Sequence, residues 1–254
     1  MSETATRDVT AFVGATGGAG TTRTVVEAAA ALAADGREVT VIDAAFATQG
    51  LGSYVSGRIE PDLTALLTDA ADAPISRGSY ALDLREAVPG RISICPANAP
   101  FERLARAKTP EAAQRLESRI ETAAAQSDTV LVDVPPIAAN QAVAAVNGAD
   151  RHAVVTPASE RGRDAVGRCH DRLADLGVEA SLVVSTRGEL ETADVAIPET
   201  DADDERDAPA CLCEGGEFAA AIERVAAAVT GREITAEVDS DRGLLGAVGE
   251  YVGR

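Results

Sequence analysis

Short runs of β-branched residues alternate with longer alanine-rich segments along most of this chain. A buried strand gives a short apolar run, whereas a helix that covers a sheet shows apolar residues at a period of about 3.6. The alternation predicts an α/β fold, a doubly wound and mostly parallel sheet with helices on its faces. The predicted strands are Val9–Val13, Val39–Asp43, Ile92–Cys95, Thr129–Asp133, Ala153–Thr156, Ala180–Val184 and Val195–Ile197. The predicted helices are Thr22–Asp35, Asp62–Thr68, Pro110–Ala125, Glu217–Val229 and one capped by Ser159 that runs to Leu176.

The length of the chain favours a single large core. It has 254 residues, of which 46% are hydrophobic, and no linker-like run divides it. We therefore expect one domain over residues 1–231, followed by a tail over residues 232–254. The sequence shows no signal-peptide pattern and no apolar stretch of membrane-spanning length, which predicts a cytoplasmic protein.

The chain has far more acidic than basic residues. Its formal net charge is -18, and Lys108 is its only lysine. Dense carboxylates, scarce lysine and abundant alanine resemble the composition of proteins from salt-loving archaea, in which carboxylates keep the surface hydrated in concentrated potassium chloride. We interpret the acidity as adaptation to solvent. DNA binding is not expected, because carboxylates surround Arg161, Arg168 and Arg172, and high salt opposes phosphate contacts.

The segment "FVGATGGAGTTRT", from Phe12 to Thr24, has the form of a phosphate-binding loop. Gly17, Gly18 and Gly20 lie between a predicted strand and a predicted helix, where backbone N–H groups and the helix N-terminus can meet an anion. The loop contains no lysine. The sequence therefore predicts a phosphate site built mainly from backbone groups.

Several segments together resemble the ParA/MinD family of dimerising ATPases. "TGGAGTTRT" is similar to the family's K-G-G-x-G-K-T-T loop, "VTVIDAAFATQGLG" to its D-x-D segment, and "TVLVDVPP" to its Walker B strand. "ADRHAVVTPASERGRDA", "VVSTR" and "AIPETD" fall where the family has its T-P strand, its V-x-N-R element and its I-P-x-D element. The resemblance runs from Val9 to about Gly231. It implies a P-loop NTPase fold, ATP with magnesium as the ligand, and a homodimer.

The chain keeps some of the site residues of the family and replaces others. The resemblance implies that Thr22 and the carboxylates of Asp43 and Asp133 hold magnesium together with the nucleotide. Thr16 and Thr21 stand where the family has its two loop lysines, and Ala45 stands where the family has the acid that orients the attacking water. The candidate nucleotide-binding residues are Gly17, Gly18, Ala19, Gly20, Thr21, Thr22, Arg23 and Thr186, of which Arg23 departs from the family's threonine.

The replaced residues predict a switch or scaffold protein with weak or absent ATP hydrolysis. Phosphoryl transfer depends on positive charge placed where the transition state gathers negative charge, and two ammonium groups are missing. The family implies a role in intracellular positioning, partitioning or cell-division organisation. A slow ATPase is an open alternative, with Arg23, a potassium ion or a partner's residue supplying the charge.

Two further features carry separate hypotheses. Cys211 and Cys213 form a C-x-C pair, which leaves a metal or cluster carrier of related scaffold as a further alternative. The tail has apolar residues at helical spacing, which fits either a peripheral membrane contact or packing on protein. These tail residues are Leu244, Leu245, Val248, Tyr251 and Val252.

Overall fold

The structure is a computed structural model that describes residues 8–200, 208–213, 215–232 and 234. The acidic segment 201–207 and almost all of the predicted tail lie outside the described residues. The hypothesis of a membrane contact through the tail therefore stays a prediction. Among the described helices, none has the length and apolarity needed to cross a bilayer.

The described residues form one sheet of eight strands in the order β3-β4-β2-β5-β1-β6-β7-β8. Every neighbouring pair is parallel except β3 with β4, which is antiparallel. The strands are β1 (Val9–Gly14), β2 (Glu38–Asp43), β3 (Tyr80–Ala81), β4 (Arg91–Cys95), β5 (Thr129–Val134), β6 (Arg151–Pro157), β7 (Leu182–Thr186) and β8 (Val195–Ile197).

Seven α-helices are found among the described residues. They are α1 (Thr21–Ala34), α2 (Leu63–Leu67), α3 (Phe101–Ala107), α4 (Pro110–Ala124), α5 (Asn140–Asn147), α6 (Glu160–Asp175) and α7 (Glu217–Thr230). Short 3₁₀ turns occur at Gly50–Tyr54, Ile75–Gly78 and Ala210–Leu212.

Helices cover both faces of the sheet, which explains why its central strands read as continuous apolar runs. All six residues of β1 are buried. Because side chains alternate across a strand, Val9, Ala11 and Val13 pack on the face that α4 and α5 cover. Phe12 packs on the opposite face, with α1 and α7.

The predicted fold class is confirmed, and each predicted strand has a counterpart within a few residues. Gly36 has φ +87° just beyond α1, as expected of a glycine that ends a helix. Ser159 caps α6 by accepting a hydrogen bond from the Gly162 backbone N–H at 3.0 Å. The pattern did not reveal α3, α5 or β3, because helices of seven or eight residues and a strand of two residues are too short to show a period.

The parallel strands bring their carboxyl ends to one edge of the sheet. Ligands of such sheets bind outside this edge, where neighbouring connections leave in opposite directions. Here β1 lies between β5 and β6, and the turn from β1 into α1 leaves from that edge. The candidate site is built around this turn.

Candidate functional site

The turn between β1 and α1 has the backbone geometry of a phosphate-binding loop. Gly18 and Gly20 have φ +72° and +85°, in the left-handed region that favours glycine. Gly20 is also the N-cap of α1, so the loop runs directly into the positive end of a 14-residue helix. Gly17 and Gly18 are exposed, and a Cβ at either position would meet open space. An anion can therefore approach this backbone closely.

Thr21 lies back against the base of the loop. A Cβ built at Gly14 would lie 2.8 Å from the Thr21 Oγ1, so this hydroxyl occupies the space that any larger residue at position 14 would need. Thr21 thus packs the loop on the preceding strand, and it brings no charge to the site.

Thr22 and two aspartates form a buried acidic group below the loop. The register of β2 and β5 sets Asp43 and Asp133 side by side. The Thr22 Oγ1 donates a hydrogen bond to the Asp133 Oδ2 at 2.6 Å. Asp43 accepts hydrogen bonds from the backbone N–H groups of Ala45 at 2.9 Å and Ala97 at 3.2 Å. Both carboxyl groups are therefore held in fixed positions at the carboxyl edge of the sheet.

Burial alters the acidity of this pair. Burial, and secondarily the charge of Asp133, raises the pKa of Asp43 to about 8. Burial also raises the pKa of Asp133 to about 6, although the hydrogen bond from Thr22 acts in the opposite direction. A divalent cation beside the two carboxyl groups would stabilise their charged forms and so lower both pKa values.

A cavity of about 950 Å³ extends from the loop to the ends of β7 and β8. Its loop side is formed by residues 16–24, and its floor includes Ala45 and Asp133. Its far wall is mostly apolar, with Ile197, Pro198, Phe218 and Ile222. A phosphate chain fits the loop side, and a flat apolar group such as a nucleobase fits the far wall.

Thr186 supports the loop from the end of β7. It is buried, and its Oγ1 donates to the Ala19 backbone carbonyl at 2.8 Å. A Cβ on Gly20 would lie 3.4 Å from the Thr186 Cγ2, so the two elements are in close contact. Thr186 therefore lines the cavity with its hydroxyl committed to the loop.

Arg23 pairs with a fully buried acid, Glu27, one helical turn further along α1. The Arg23 Nε lies 2.6 Å from the Glu27 Oε1. Glu27 also accepts the backbone N–H groups of Ala210 at 2.8 Å and Cys211 at 2.9 Å. The side chain of Arg23 thus neutralises an acid that joins α1 to the turn at Ala210–Leu212.

A family model described as an AAA domain matches residues 7–172, well over half of the chain. The cell division ATPase MinD of Pyrococcus furiosus superposes with a TM-score of 0.72 at 19% identity, covering 88% of this chain and 98% of that one. The chain belongs to the ParA/MinD family of P-loop NTPases.

Other ParA/MinD structures share this fold. The septum site-determining protein MinD of Pyrococcus horikoshii, complexed with Mg-ADP, gives a TM-score of 0.68 at 21% identity, with 86% of this chain and 93% of that chain covered. The MinC:MinD cell division protein complex of Aquifex aeolicus gives 0.72 at 20% identity, with 90% and 97% covered. A search of curated proteins finds no match.

Most residues that the ParA/MinD resemblance selected lie around the cavity beside the loop, although their roles stay predictions. Asp43 lies behind the wall, where it is fully buried against Asp133. The cysteines of the C-x-C pair differ in environment, since Cys211 is buried and Cys213 is exposed. Among the residues that the structure describes, no group of three or more His, Cys, Asp or Glu side chains is arranged to hold a metal ion.

The sequence did not single out the apolar wall, Glu27 or Arg187. Glu27 is an acid within a buried alanine-rich stretch, and that contrast was a usable signal. Arg187 stood in the quoted segment "VVSTR", next to Thr186. Phe218 and Ile222 lie on the last described helix, and no local pattern connects them with the loop.

Proposed function

We propose that this chain is a nucleotide-binding switch or scaffold of the ParA/MinD family with weak or absent ATP hydrolysis. Its role would be in intracellular positioning, partitioning or cell-division organisation, in keeping with the names of the related structures. The observation that carries the proposal is the loop. Its left-handed glycines and its junction with α1 form an anion site, whereas its side chains bring no lysine.

The proposed ligand is ATP with magnesium, bound weakly or conditionally. Related structures contain Mg-ADP, or an ATP analogue with magnesium. Oxygen ligands suit magnesium, and Thr22 and Asp133 supply a hydroxyl and a carboxylate in contact with each other, with Asp43 behind them. A bound magnesium ion would neutralise charge on the phosphates. The loop N–H groups would hold the phosphate oxygens, and the apolar wall would cover the base.

Slow hydrolysis follows from the groups at the reaction position. Ala45 is buried, and its methyl group can neither accept a proton nor orient a water molecule. A positioned acid or base typically contributes ~10²- to 10⁴-fold in rate, and charge stabilisation at the transferring phosphoryl group adds a comparable factor. A protein without either group acts by binding and releasing nucleotide.

A slow ATPase remains the alternative. Arg23 lines the cavity, so it is near enough to be considered as the missing cation. Its charge is already compensated by the buried carboxylate of Glu27, and moving Arg23 away from that carboxylate would be costly. A potassium ion or a partner's residue could supply the charge without disturbing the pair of Arg23 and Glu27.

We also propose a cytoplasmic homodimer, with peripheral membrane contact as one of two roles open to the tail. MinD of Aquifex aeolicus assembles with MinC, which supports a partner protein for this chain as well. The apolar spacing of the tail fits a membrane contact, and it also fits packing on protein.

Calorimetric titration with magnesium ATP in concentrated potassium chloride tests the proposal, combined with a phosphate-release assay. We expect binding and a higher melting temperature, with no release above background. The Thr22→Ala variant should lose magnesium-dependent binding, whereas Thr122→Ala, on the exposed face of α4, should not.

Two results would contradict the proposal. Steady phosphate release that Thr22→Ala abolishes would favour the slow ATPase. If the unaltered chain binds no nucleotide, it cannot act as a nucleotide-binding switch.

A further inference from the structure

Two cationic side chains line the cavity within the described part of the chain, those of Arg23 and Arg187. Their acceptors differ in kind. Arg23 is bound to the fully buried carboxylate of Glu27, which holds it by charge. The Arg187 Nη2 donates to the backbone carbonyl of Gly18 at 2.6 Å. A carbonyl acceptor is neutral, so it leaves the positive charge of Arg187 uncompensated at that contact.

The backbone around Arg187 fixes where its side chain begins. Arg187 has φ +60°, in a region that a residue with a Cβ rarely adopts. Hydrogen bonds on both sides hold this conformation. The Ala158 N–H donates to the Thr186 carbonyl at 3.0 Å, and the Gly188 N–H donates to the Ile197 carbonyl at 3.1 Å. The side chain is thus directed from the end of β7 across the cavity to the loop.

The contact with Gly18 places a guanidinium at the open rim of the loop. Gly17 and Gly18 are exposed, and open space lies beside both backbones. Arg187 is also exposed, so its side chain can shift toward a ligand at little cost. A guanidinium has several N–H donors in a planar fork that matches phosphate oxygens, and only one of them is engaged with Gly18.

The other charged groups around the cavity increase the need for such a cation. Arg23 and Glu27 neutralise each other, which leaves Asp133 and Glu199 as acids that line the cavity, with Asp43 directly behind. A polyphosphate chain that enters this cavity meets an excess of acid. Of the two described arginines that line the cavity, Arg187 is the one held by a neutral group, so its charge can offset this acid.

We propose that Arg187 supplies the phosphate-binding cation of this site, contacting the polyphosphate of a nucleoside di- or triphosphate from the end of β7 rather than from the loop. The inference rests on the proposed nucleotide-binding function. It gives Arg187 a role in affinity, since Ala45 still leaves hydrolysis without an acid.

Calorimetric titration of Arg187→Gln and Arg187→Lys with magnesium ATP tests the proposal. Loss of a charge-assisted hydrogen bond predicts about tenfold weaker binding or more for Arg187→Gln. Arg187→Lys should recover part of the loss. Arg168→Gln, an exposed arginine of α6, is the matched control and should bind like the unaltered chain.

Two further measurements separate charge from mechanical support of the loop. The ratio of affinities between the unaltered chain and Arg187→Gln should shrink as potassium chloride is raised, because salt screens an exposed charge. The melting temperature without ligand should be the same for both proteins. A lower melting temperature of Arg187→Gln, with a salt-independent loss of affinity, would show that Arg187 only braces Gly18 and would overturn the proposal.

Two further outcomes separate the role of Arg187 from the proposed function. If the unaltered chain binds magnesium ATP and Arg187→Gln binds it equally well, the proposed function stands and the role of Arg187 is wrong. If the unaltered chain binds no nucleotide, the proposed function fails and the role of Arg187 fails with it.

Discussion

The two ends of the cavity handle charge in opposite ways. At the acid end, Thr22 donates to Asp133, and Asp43 lies beside Asp133 in a buried region. At the arginine end, Arg23 is bound to the buried carboxylate of Glu27, whereas Arg187 is bound to the backbone carbonyl of Gly18. The acid end is arranged to receive a cation, whereas at the arginine end an acid meets the charge of Arg23 and a neutral carbonyl leaves the charge of Arg187 available to an anion.

This difference indicates what kind of ligand the cavity can accept. A free anion would meet uncompensated acid below the loop, whereas a magnesium complex brings positive charge to that position. The backbone of the loop, together with Arg187, would then hold the phosphate oxygens. Under the proposed function, nucleotide would enter as its magnesium complex, and loop geometry and side-chain charge would contribute separately to binding.

Removing Glu27 should have the largest effect on stability, because it breaks the buried ion pair with Arg23. Glu27→Ala leaves the N–H groups of Ala210 and Cys211 without their acceptor and leaves Arg23 without its acid. Breaking a buried pair in this way costs ~3–5 kcal/mol, which corresponds to a fall in melting temperature of about 6–20 °C for a chain of this size. Thermal unfolding followed by circular dichroism measures the change.

Glu191→Ala, at an exposed loop position, is the control for loss of an acid and should melt like the unaltered chain. Equal melting temperatures for Glu27→Ala and Glu191→Ala would mean that the buried pair contributes nothing to the fold.

Restoring a lysine to the loop should strengthen the binding of magnesium ATP. Thr21→Lys places an ammonium group where the family has its lysine, and a charge-assisted hydrogen bond contributes ~1.5–3 kcal/mol. We expect magnesium ATP to bind roughly 10- to 150-fold more tightly, as measured by calorimetry. Thr21→Met is the matched variant of similar length without charge. If both variants bind alike, the gain would come from packing and the account of the missing cation would be wrong.

The central part of the site could be predicted from the sequence because its signals are local. The glycines of the loop, the buried strand that ends in Asp133 and the position of Asp43 follow from strand, turn and helix patterns. Arg187 and Glu27 act through partners about 170 and 180 residues away, Gly18 and Cys211. Such pairings depend on strand order and register, which no local pattern encodes. The direction of Arg23 likewise depended on the burial of Glu27.

The loop backbone can be tested apart from its charge. Gly20 has φ +85°, and a Cβ there would lie 3.4 Å from Thr186, so Gly20→Ala should cost ~1–2 kcal/mol of backbone strain. Gly17→Ala is the matched control, because a Cβ at Gly17 meets open space and no positive φ is involved. We expect Gly20→Ala to lower the melting temperature and weaken nucleotide binding, while Gly17→Ala leaves the melting temperature unchanged. Identical behaviour of the two variants would show that the left-handed turn is not required.

The acid end makes the ligand-free protein sensitive to pH. The pKa of Asp43 is raised from its ordinary 3.8 to about 8, so the folded state binds a proton more tightly than the unfolded state does. The resulting stability is fully present below the unfolded pKa and is lost as the pH rises through the folded pKa. Each tenfold difference in proton affinity between the two states corresponds to ~1.4 kcal/mol, or about 3–6 °C in melting temperature for a chain of this size.

We therefore expect the chelator-treated protein to melt at a lower temperature at about pH 9 than at about pH 5, with the loss concentrated between these values. Asp43→Asn removes the titrating group, so its melting temperature should change less over the same range, whatever its absolute value. Magnesium ATP should reduce the loss at high pH, because a cation beside Asp133 favours the ionised carboxylates. A pH dependence that is the same in Asp43→Asn and in the unaltered chain would place the titrating group elsewhere, and the acid end would then not be the cation-accepting end of the cavity.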